Sequence, residues 1–299
     1  MKVQYEILAT NRGRQLRMTD GKTPMLADLH THSRASDGQY SPADLVRLAK
    51  KSGVEVLALT DHDTIDGLEE AVGAGSCYDL QILRGVELSA KEHKDLHLLG
   101  YGFSEGDSSL WRLCDQLRSG REQRKHRIIQ YLHDCGVDIP LSEVEALSGG
   151  RIVARPHFAQ VIIRHGYAET VQEVFARWLD TPAFAEVERQ KPDAEACIRV
   201  IHESGGICSW AHPYQLSIEE AETEALLRKL VASGLDAIEC YYPAHSKEQT
   251  EFYLHLCKKY QLHCTGGSDF HGEAVKAGVS LARWPLELDW IGRPLCCTD

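Results

Sequence analysis

Three short segments concentrate side chains able to bind metal: Asp28-Leu29-His30-Thr31-His32, Asp61-His62-Asp63 and Ser268-Asp269-Phe270-His271. Glu87, His97 and His212 add single candidates. Neutral imidazole and carboxylate are the usual ligands of zinc, manganese and iron, and a glutamate can bridge two ions. In a strand, residues at i and i+2 project to the same side, so His30 and His32 can hold one ion, as can Asp269 and His271. The set is too large for one tetrahedral zinc, which points to two or three divalent ions. Each piece alone is weak evidence. An isolated H-x-H is common, and a lone histidine before proline, such as His212, is more often a core or capped residue than a ligand.

The elements around these residues decide whether they meet. MLADLH reads as a strand, and SPADLVRLAKKSG as a helix capped by Ser41, with Pro42 at its first position and Gly53 as its stop. VEVLALT, LQILRGVEL and DLHLLGYG read as three more strands, with a short helix at IDGLEEAVGAG. Downstream, GICSWA, DAIEC and HCTGG read as strands preceded by helices at 193–204, 218–233 and 246–260. Strands alternating with helices imply a largely parallel α/β sheet or barrel. In a β/α barrel the strand C-termini share one rim, where sequence-distant ligands converge. Only nine residues separate Glu87 from His97, fewer than the dozen or so that a parallel crossover needs. Those two strands are therefore expected to be antiparallel, with Glu87 and His97 on the same rim.

From about Glu105 to Thr181 the alternation stops, and helices are expected at 108–135, 142–147, 156–165 and 171–179. This reads as a helical insertion, giving an N-terminal extension (1–24), a barrel domain (25–104 and 182–290) and the insertion (105–181). The first twenty-odd residues and the closing PLCCTD show no clear element. At 299 residues with 43% hydrophobic side chains, the chain can build a sizeable core. A formal net charge of -11 argues against wrapping long duplex nucleic acid, but not against small phosphorylated substrates whose charge metal ions can meet. None of the ten cysteines forms a C-x-x-C pair, and Cys197, Cys208, Cys240 and Cys257 fall in apolar patterns, so reduced thiols are expected. With no signal-like or membrane-length apolar run, a cytoplasmic protein without a membrane partner is expected; the oligomeric state is left open.

The segments ADLHTHSRASDGQYSPADLVRLAKKSGVEVLALTDHDTIDG, GVELS, HLLGYG, RPHFAQVIIRHGY, GGICSWAHPY and GGSDFHG resemble the polymerase-and-histidinol-phosphatase (PHP) family of metal-dependent phosphoesterases. Within it, the resemblance is strongest to a stand-alone branch of nucleoside 3′,5′-bisphosphate phosphatases and 5′-to-3′ exoribonucleases. It implies a distorted seven-stranded β/α barrel with three metal ions. Carried over residue by residue, it implies a first ion on His30, His32, Glu87 and Asp269. A second would take Glu87 as a bridge with His97 and His212, and a third Asp37, His62 and His271. Arg155 and His157 match a motif that approaches the substrate phosphate, and His245 falls where the branch tends to have a histidine near it. Arg121 and Arg124 lie on a helix resembling an Arg-rich one in the family; Arg118, Lys125 and Arg127 on the same helix read as a solvated face. Asp28, Asp61 and Asp63 read as partners that orient ligands.

The reaction so implied is hydrolysis of a phosphate ester by water activated by the ions, with Arg155 holding phosphate oxygens and His157 or His245 protonating the leaving oxygen. The expected substrate is the 3′-phosphate of a small nucleotide such as 3′-phosphoadenosine 5′-phosphate. Stepwise release of 5′-nucleotides from short 5′-phosphorylated RNA is the runner-up, and histidinol phosphate fits less well. An amidohydrolase or a non-catalytic metal-binding module are the other classes considered. The full ligand set speaks against the second.

Overall fold

The computed structural model describes residues 5–10, 13–18, 24–104, 108–148, 153, 155–187 and 191–291. The last segment without an expected element, PLCCTD, lies outside them. The first twenty-odd residues do contain structure, contrary to expectation: β1 (Tyr5–Thr10) and β2 (Gly13–Met18) pair as an antiparallel hairpin. A two-stranded hairpin is held mainly by its backbone ladder, and YEILAT lacks the clean alternation that marks a half-buried strand.

Contacts divide the chain into a unit of Met1–Trp111 with Pro192–Asp299 and a unit of Arg112–Lys191. The first begins its sheet with β3 (Met25–Asp28), α1 (Pro42–Lys51), β4 (Val56–Leu59), α2 (Leu68–Tyr78), β5 (Gln81–Ser89) and β6 (His97–Tyr101). Ser41 Oγ accepts from Asp44 N at the start of α1 and Pro42 follows it, the cap the sequence proposes. Next comes α3 (Ser108–Asp134), followed by α4 (Leu141–Ser148), α5 (Arg155–Arg164), α6 (Val171–Val174) and α7 (Pro182–Ala185). A single π-turn, Phe175–Leu179, prolongs α6. This helical unit has its own core, including Ile128, Leu132, Phe158, Ile162, Trp178 and Leu179.

The sheet resumes with α8 (Ala194–Glu203), β7 (Ile207–Trp210), α9 (Glu220–Ala232), β8 (Ala237–Tyr241), α10 (Lys247–Tyr260), β9 (His263–Gly266) and β10 (Trp284–Leu286). Its order is β10-β3-β4-β5-β6-β7-β8-β9. Neighbours are parallel except β5–β6, β6–β7 and β10–β3, so the short Glu87–His97 connection does join antiparallel strands. The seven expected barrel strands are all present, and β10 is an eighth. Its central Pro285 lacks an N–H, and such a strand is confined to an edge and hard to read from sequence. Every residue of β4 is buried, as in a sheet covered on both faces.

Past the strand ends the ladder continues. Leu29 N donates to Gly266 O (3.1 Å), His32 N to Phe270 O (2.9 Å) and Asp269 N to His30 O (2.8 Å), drawing the β3 and β9 ends together into a nearly closed barrel. Inside, Ala27, Leu29, Val56, Ala58, Leu99 and Tyr101 form one core cluster. Tyr101, fully buried, donates its hydroxyl to Leu29 O at 2.8 Å and so fixes the backbone beside His30. Among the described residues no helix is long and apolar enough to cross a membrane. Tyr101→Phe leaves a buried carbonyl unpaired, so urea unfolding is expected to show a loss of about 1–3 kcal/mol. A loss under about 0.5 kcal/mol, the range of a neutral surface change, would show that this bond does not hold the rim.

Candidate metal centre

Eight of the nine proposed ligands sit at or just past a strand end at one rim, Asp37 lies in the turn between β3 and α1, and the rim segments are laced together through their backbones. Thr60 N donates to Thr31 O (2.9 Å), Glu87 N to Asp61 O (3.2 Å), Asp63 N to Glu87 O (2.8 Å) and Ala211 N to His97 O (3.1 Å). Three residues of these segments have positive φ: Asp63 (54°), His212 (27°) and Asp269 (53°). Such non-glycine geometry is strained and persists only where its surroundings over-determine it, which is common at functional sites. Space is equally tight at Gly267, where a Cβ would fall 2.2 Å from His30 Cβ. Only glycine lets the β9 end pass that close to His30.

Glu87, fully buried, is the hub. Its Oε1 lies 2.9 Å from His97 Nδ1 and 3.0 Å from His212 Nε2. Its Oε2 lies 2.9 Å from His62 Nδ1 and 3.2 Å from both His30 Nε2 and His32 Nε2. Asp269 Oδ1 is 3.3 Å from His32 Nε2, 3.3 Å from His271 Nδ1 and 3.7 Å from His30 Nε2. Asp37 stands 3.2 Å from His271 Nε2 and 3.9 Å from His62 Nε2. The nine residues thus fall into overlapping groups: His30–Glu87–His212, His30–His32–Asp269, His62–Glu87–His97 and His32–Asp37–His62–His271.

This donor set fits divalent cations on two counts. His30 Nε2, His32 Nε2, His62 Nδ1 and Glu87 Oε2 are buried without a hydrogen-bond partner although they approach one another closely. Two donors each about 2.1 Å from one ion, at tetrahedral to octahedral angles, stand about 3.0–3.4 Å apart, close to the spacings found here. The electrostatics agree. Burial pushes the Glu87, Asp269 and Asp37 carboxyls up, yet the surrounding imidazoles hold all three well below the usual carboxylate range. Burial likewise depresses His30 and His32, but the carboxylates lift His30 well above an ordinary imidazole and His32 to about 10. His97 goes the other way, to about 4, because burial and the neighbouring His62 and His212 outweigh Glu87. Several anions confined this way call for positive charge, which protons or metal ions can supply.

Further carboxylates hold the cage. Glu239, fully buried in β8, accepts from His30 Nδ1 (3.1 Å) and from His212 N (2.7 Å). Its sequence signal is a carboxylate inside the strand AIECY, which the reading of strand ends passed over. Asp28 accepts from Ser268 N, Ser268 Oγ and Ala282 N, and burial lifts its pKa to about 6. Asp61 holds the loop before Asp37 through Ser33 and Ser36, and Asp63 holds the end of β5 through Ser89. These three aspartates thus act on the segments carrying the ligands, through backbone and serine contacts. Tyr242 Oη donates to Asp269 Oδ2 (2.9 Å), and Lys276 Nζ reaches the same oxygen at 2.5 Å. Neither residue carries a motif that would mark it from sequence.

Residues 28–186 match the family model described as PHP domain. The chain is a member of the PHP domain family. It is 33% identical to the 5′-3′ exoribonuclease of Haemophilus influenzae, over 82% of this chain and 89% of that one. It is 32% identical to the phosphoribosyl 1,2-cyclic phosphate 1,2-diphosphodiesterase of Eggerthella lenta, over 83% and 95%. Identity to the 3′,5′-nucleoside bisphosphate phosphatase of Chromobacterium violaceum is 29%, over 82% and 86%.

Other candidates from the sequence are not members of these ligand groups. Within the helical unit, Arg155 donates to Asp180 Oδ1 (2.8 Å) and its guanidinium lies 5.5 Å from the Phe175 ring centroid. Arg124 lies over Phe184 at 5.9 Å. His157 and Arg121 are half-buried there. Arg118, paired with Asp115, and Arg127 are exposed, whereas Lys125 is largely covered between Glu122 and Glu145 and so departs from the solvated face expected of it. His245 stands next to Tyr242, Tyr214 and Tyr253. Its Nδ1 donates to Cys240 O (2.9 Å), which leaves Nε2 as the lone-pair atom, buried and without a partner. Burial lowers its pKa, so His245 is an acceptor first and can protonate a leaving oxygen only after taking up a proton.

Two expectations follow. Elemental analysis of protein purified without chelator is expected to show at least two divalent ions per chain, whereas Glu87→Gln, folded by circular dichroism, loses part of that load. Stripped protein titrated with manganese at pH 7 is expected to release protons, because His30 and His32 carry them in the metal-free state. Calorimetry in buffers of different ionisation enthalpy reads this; buffer-independent heats would contradict it.

Proposed function

We propose that this PHP-family protein is a metal-dependent hydrolase of phosphate esters, removing the 3′-phosphate of a small nucleoside 3′,5′-bisphosphate. The observation that carries the reading is the convergence of five imidazoles on the two oxygens of buried Glu87, with Asp269 and Asp37 beside them. Relatives across most of the chain's length act, by their names, on RNA, a cyclic ribose phosphate and a nucleoside bisphosphate.

His30, His32, Glu87 and Asp269 would hold one ion, Glu87, His97 and His212 a second, and Asp37, His62 and His271 a third. Manganese, iron or zinc suits these donors. Bound cations would supply an activated water and neutralise charge on the phosphoryl oxygens. The chain's own residues do the rest. Glu87, held ionised, keeps its two oxygens between separate ligand groups, and Glu239 fixes the ring of His30 through Nδ1. Arg155, with Arg121 and Arg124 in support, is assigned to bind phosphate, its planar fork suited to paired oxygens. His157 is assigned the proton for the leaving ribose oxygen. His245, as an acceptor, suits a sugar hydroxyl.

A 5′-3′ exoribonuclease acting on short 5′-phosphorylated RNA is the second reading, favoured by the 33% identical relative. It breaks a bond to the same ribose 3′-oxygen, so one ligand cage serves either. The deciding experiment is release of phosphate and of nucleotides from a panel of phosphorylated metabolites and short RNAs, with manganese present. Phosphate from 3′-phosphoadenosine 5′-phosphate is the expected outcome. Stepwise 5′-nucleotides in its place would favour the second reading, and turnover of amides alone would overturn both. Arg155→Ala is expected to lower kcat/KM at least about tenfold, the scale of one charge-assisted hydrogen bond, with metal content unchanged. Near-normal kinetics would show that its pairing with Asp180 is all that Arg155 does.

A further inference from the structure

Lys276 is the one lysine that touches a residue of the ligand cage among the described contacts. It follows Gly272, whose φ of +96° sets a turn in which Lys276 N donates to Gly272 O at 2.9 Å. That turn is tied down from outside: Ala274 N donates to Gln39 Oε1 (2.9 Å), and Tyr40 Oη to Glu273 (2.8 Å). The turn backbone is therefore fixed, and the lysine leaves it at a set place. Its ammonium meets Asp269 Oδ2 at 2.5 Å and Tyr242 Oη at 3.0 Å. Tyr242 is saturated by the same network, since it also accepts from Gln215 Nε2 (3.0 Å) and donates to Asp269.

Asp269 thus divides its oxygens. Oδ1 faces the histidines, while Oδ2 is committed to Lys276 and Tyr242. An ammonium has three N–H donors, and two are used here. The side chain is 34% exposed, so the third is not sealed in the core. A lysine that only balanced the charge of Asp269 would duplicate what His30, His32 and His271 already do.

We propose that Lys276 is a substrate-binding residue of this site, its anchored ammonium donating the remaining N–H to a non-bridging oxygen of the scissile phosphoryl group. The assignment rests on the phosphoesterase reading for its ligand. It places the phosphate-binding cation on the same unit as the ligand cage, independently of any arginine of the helical unit.

The test is calorimetric binding of inorganic phosphate to manganese-loaded wild type, Lys276→Met and Lys276→Arg, with metal content measured on the same samples. Methionine is expected to weaken phosphate binding about 10- to 100-fold, the worth of one charge-assisted bond, with the metal load kept. Arginine is expected to restore part of it. Should methionine disturb the turn, Lys276→Gln keeps a donor without the charge and is expected to show about a tenfold loss. Phosphate affinity within twofold of wild type at full metal load would overturn the proposal. So would loss of metal in every variant, since Lys276 would then act only through Asp269. Wild-type turnover of phosphate esters is scored separately. Its absence would sink the phosphoesterase reading while the phosphate isotherms still decided the role of Lys276.

Discussion

A glutamate with no exposure to water must be matched by positive charge, and the rim of this barrel is arranged around that requirement. Glu87 lies at the end of β5, inside a shell of five imidazoles. An isolated carboxylate buried in this way would neutralise itself by taking up a proton. Here the surrounding rings hold it ionised. The same shell that resolves the cost of burying Glu87 is a ready donor set for cations, so stability and chemistry rest on one interaction.

The second feature is how little freedom the donors have. Backbone hydrogen bonds continue beyond the strands and join the β3, β4, β5 and β9 ends, so that each ligand is fixed by its neighbours' main chains. Aspartates that are not themselves central donors hold serines on the adjoining loops. Glu239 and Tyr242 each fix one atom of a donor, leaving the other atom facing the cage. A site supported in this way holds its geometry before substrate arrives, which favours electrostatic stabilisation without reorganisation.

Membership of the PHP domain family and the cage explain each other. Relatives with different named activities are 29–33% identical to this chain along most of its length. The cage of this chain, taken with those names, suits one bond type, phosphorus to oxygen, and says little of what hangs from it. Lys276 and Tyr242 touch the cage through Asp269, and His245 stands beside Tyr242, so these residues border the donor set without belonging to it.

The barrel strands, the antiparallel turn between Glu87 and His97 and the gathering of candidate ligands at strand ends were legible in the sequence for a physical reason, whereas Asp37 entered only through the family resemblance. Strands have a period of two, their C-termini share a rim, and histidines placed there have few structural uses. Less of the support was legible. Glu239 looks like any polar residue in a strand until the fold shows it buried against His30, and Lys276 like any surface lysine until the Gly272 turn carries it to Asp269. β10 was hidden by Pro285, and the β1–β2 hairpin by the lack of a clean polar–apolar alternation in YEILAT. Local sequence dictates periodicity, capping and chain direction, because these depend on neighbours a few residues away. Which carboxylate is buried, which oxygen is already committed and which ammonium keeps a donor to spare depend on contacts between residues dozens to hundreds of positions apart, and only the folded chain decides them.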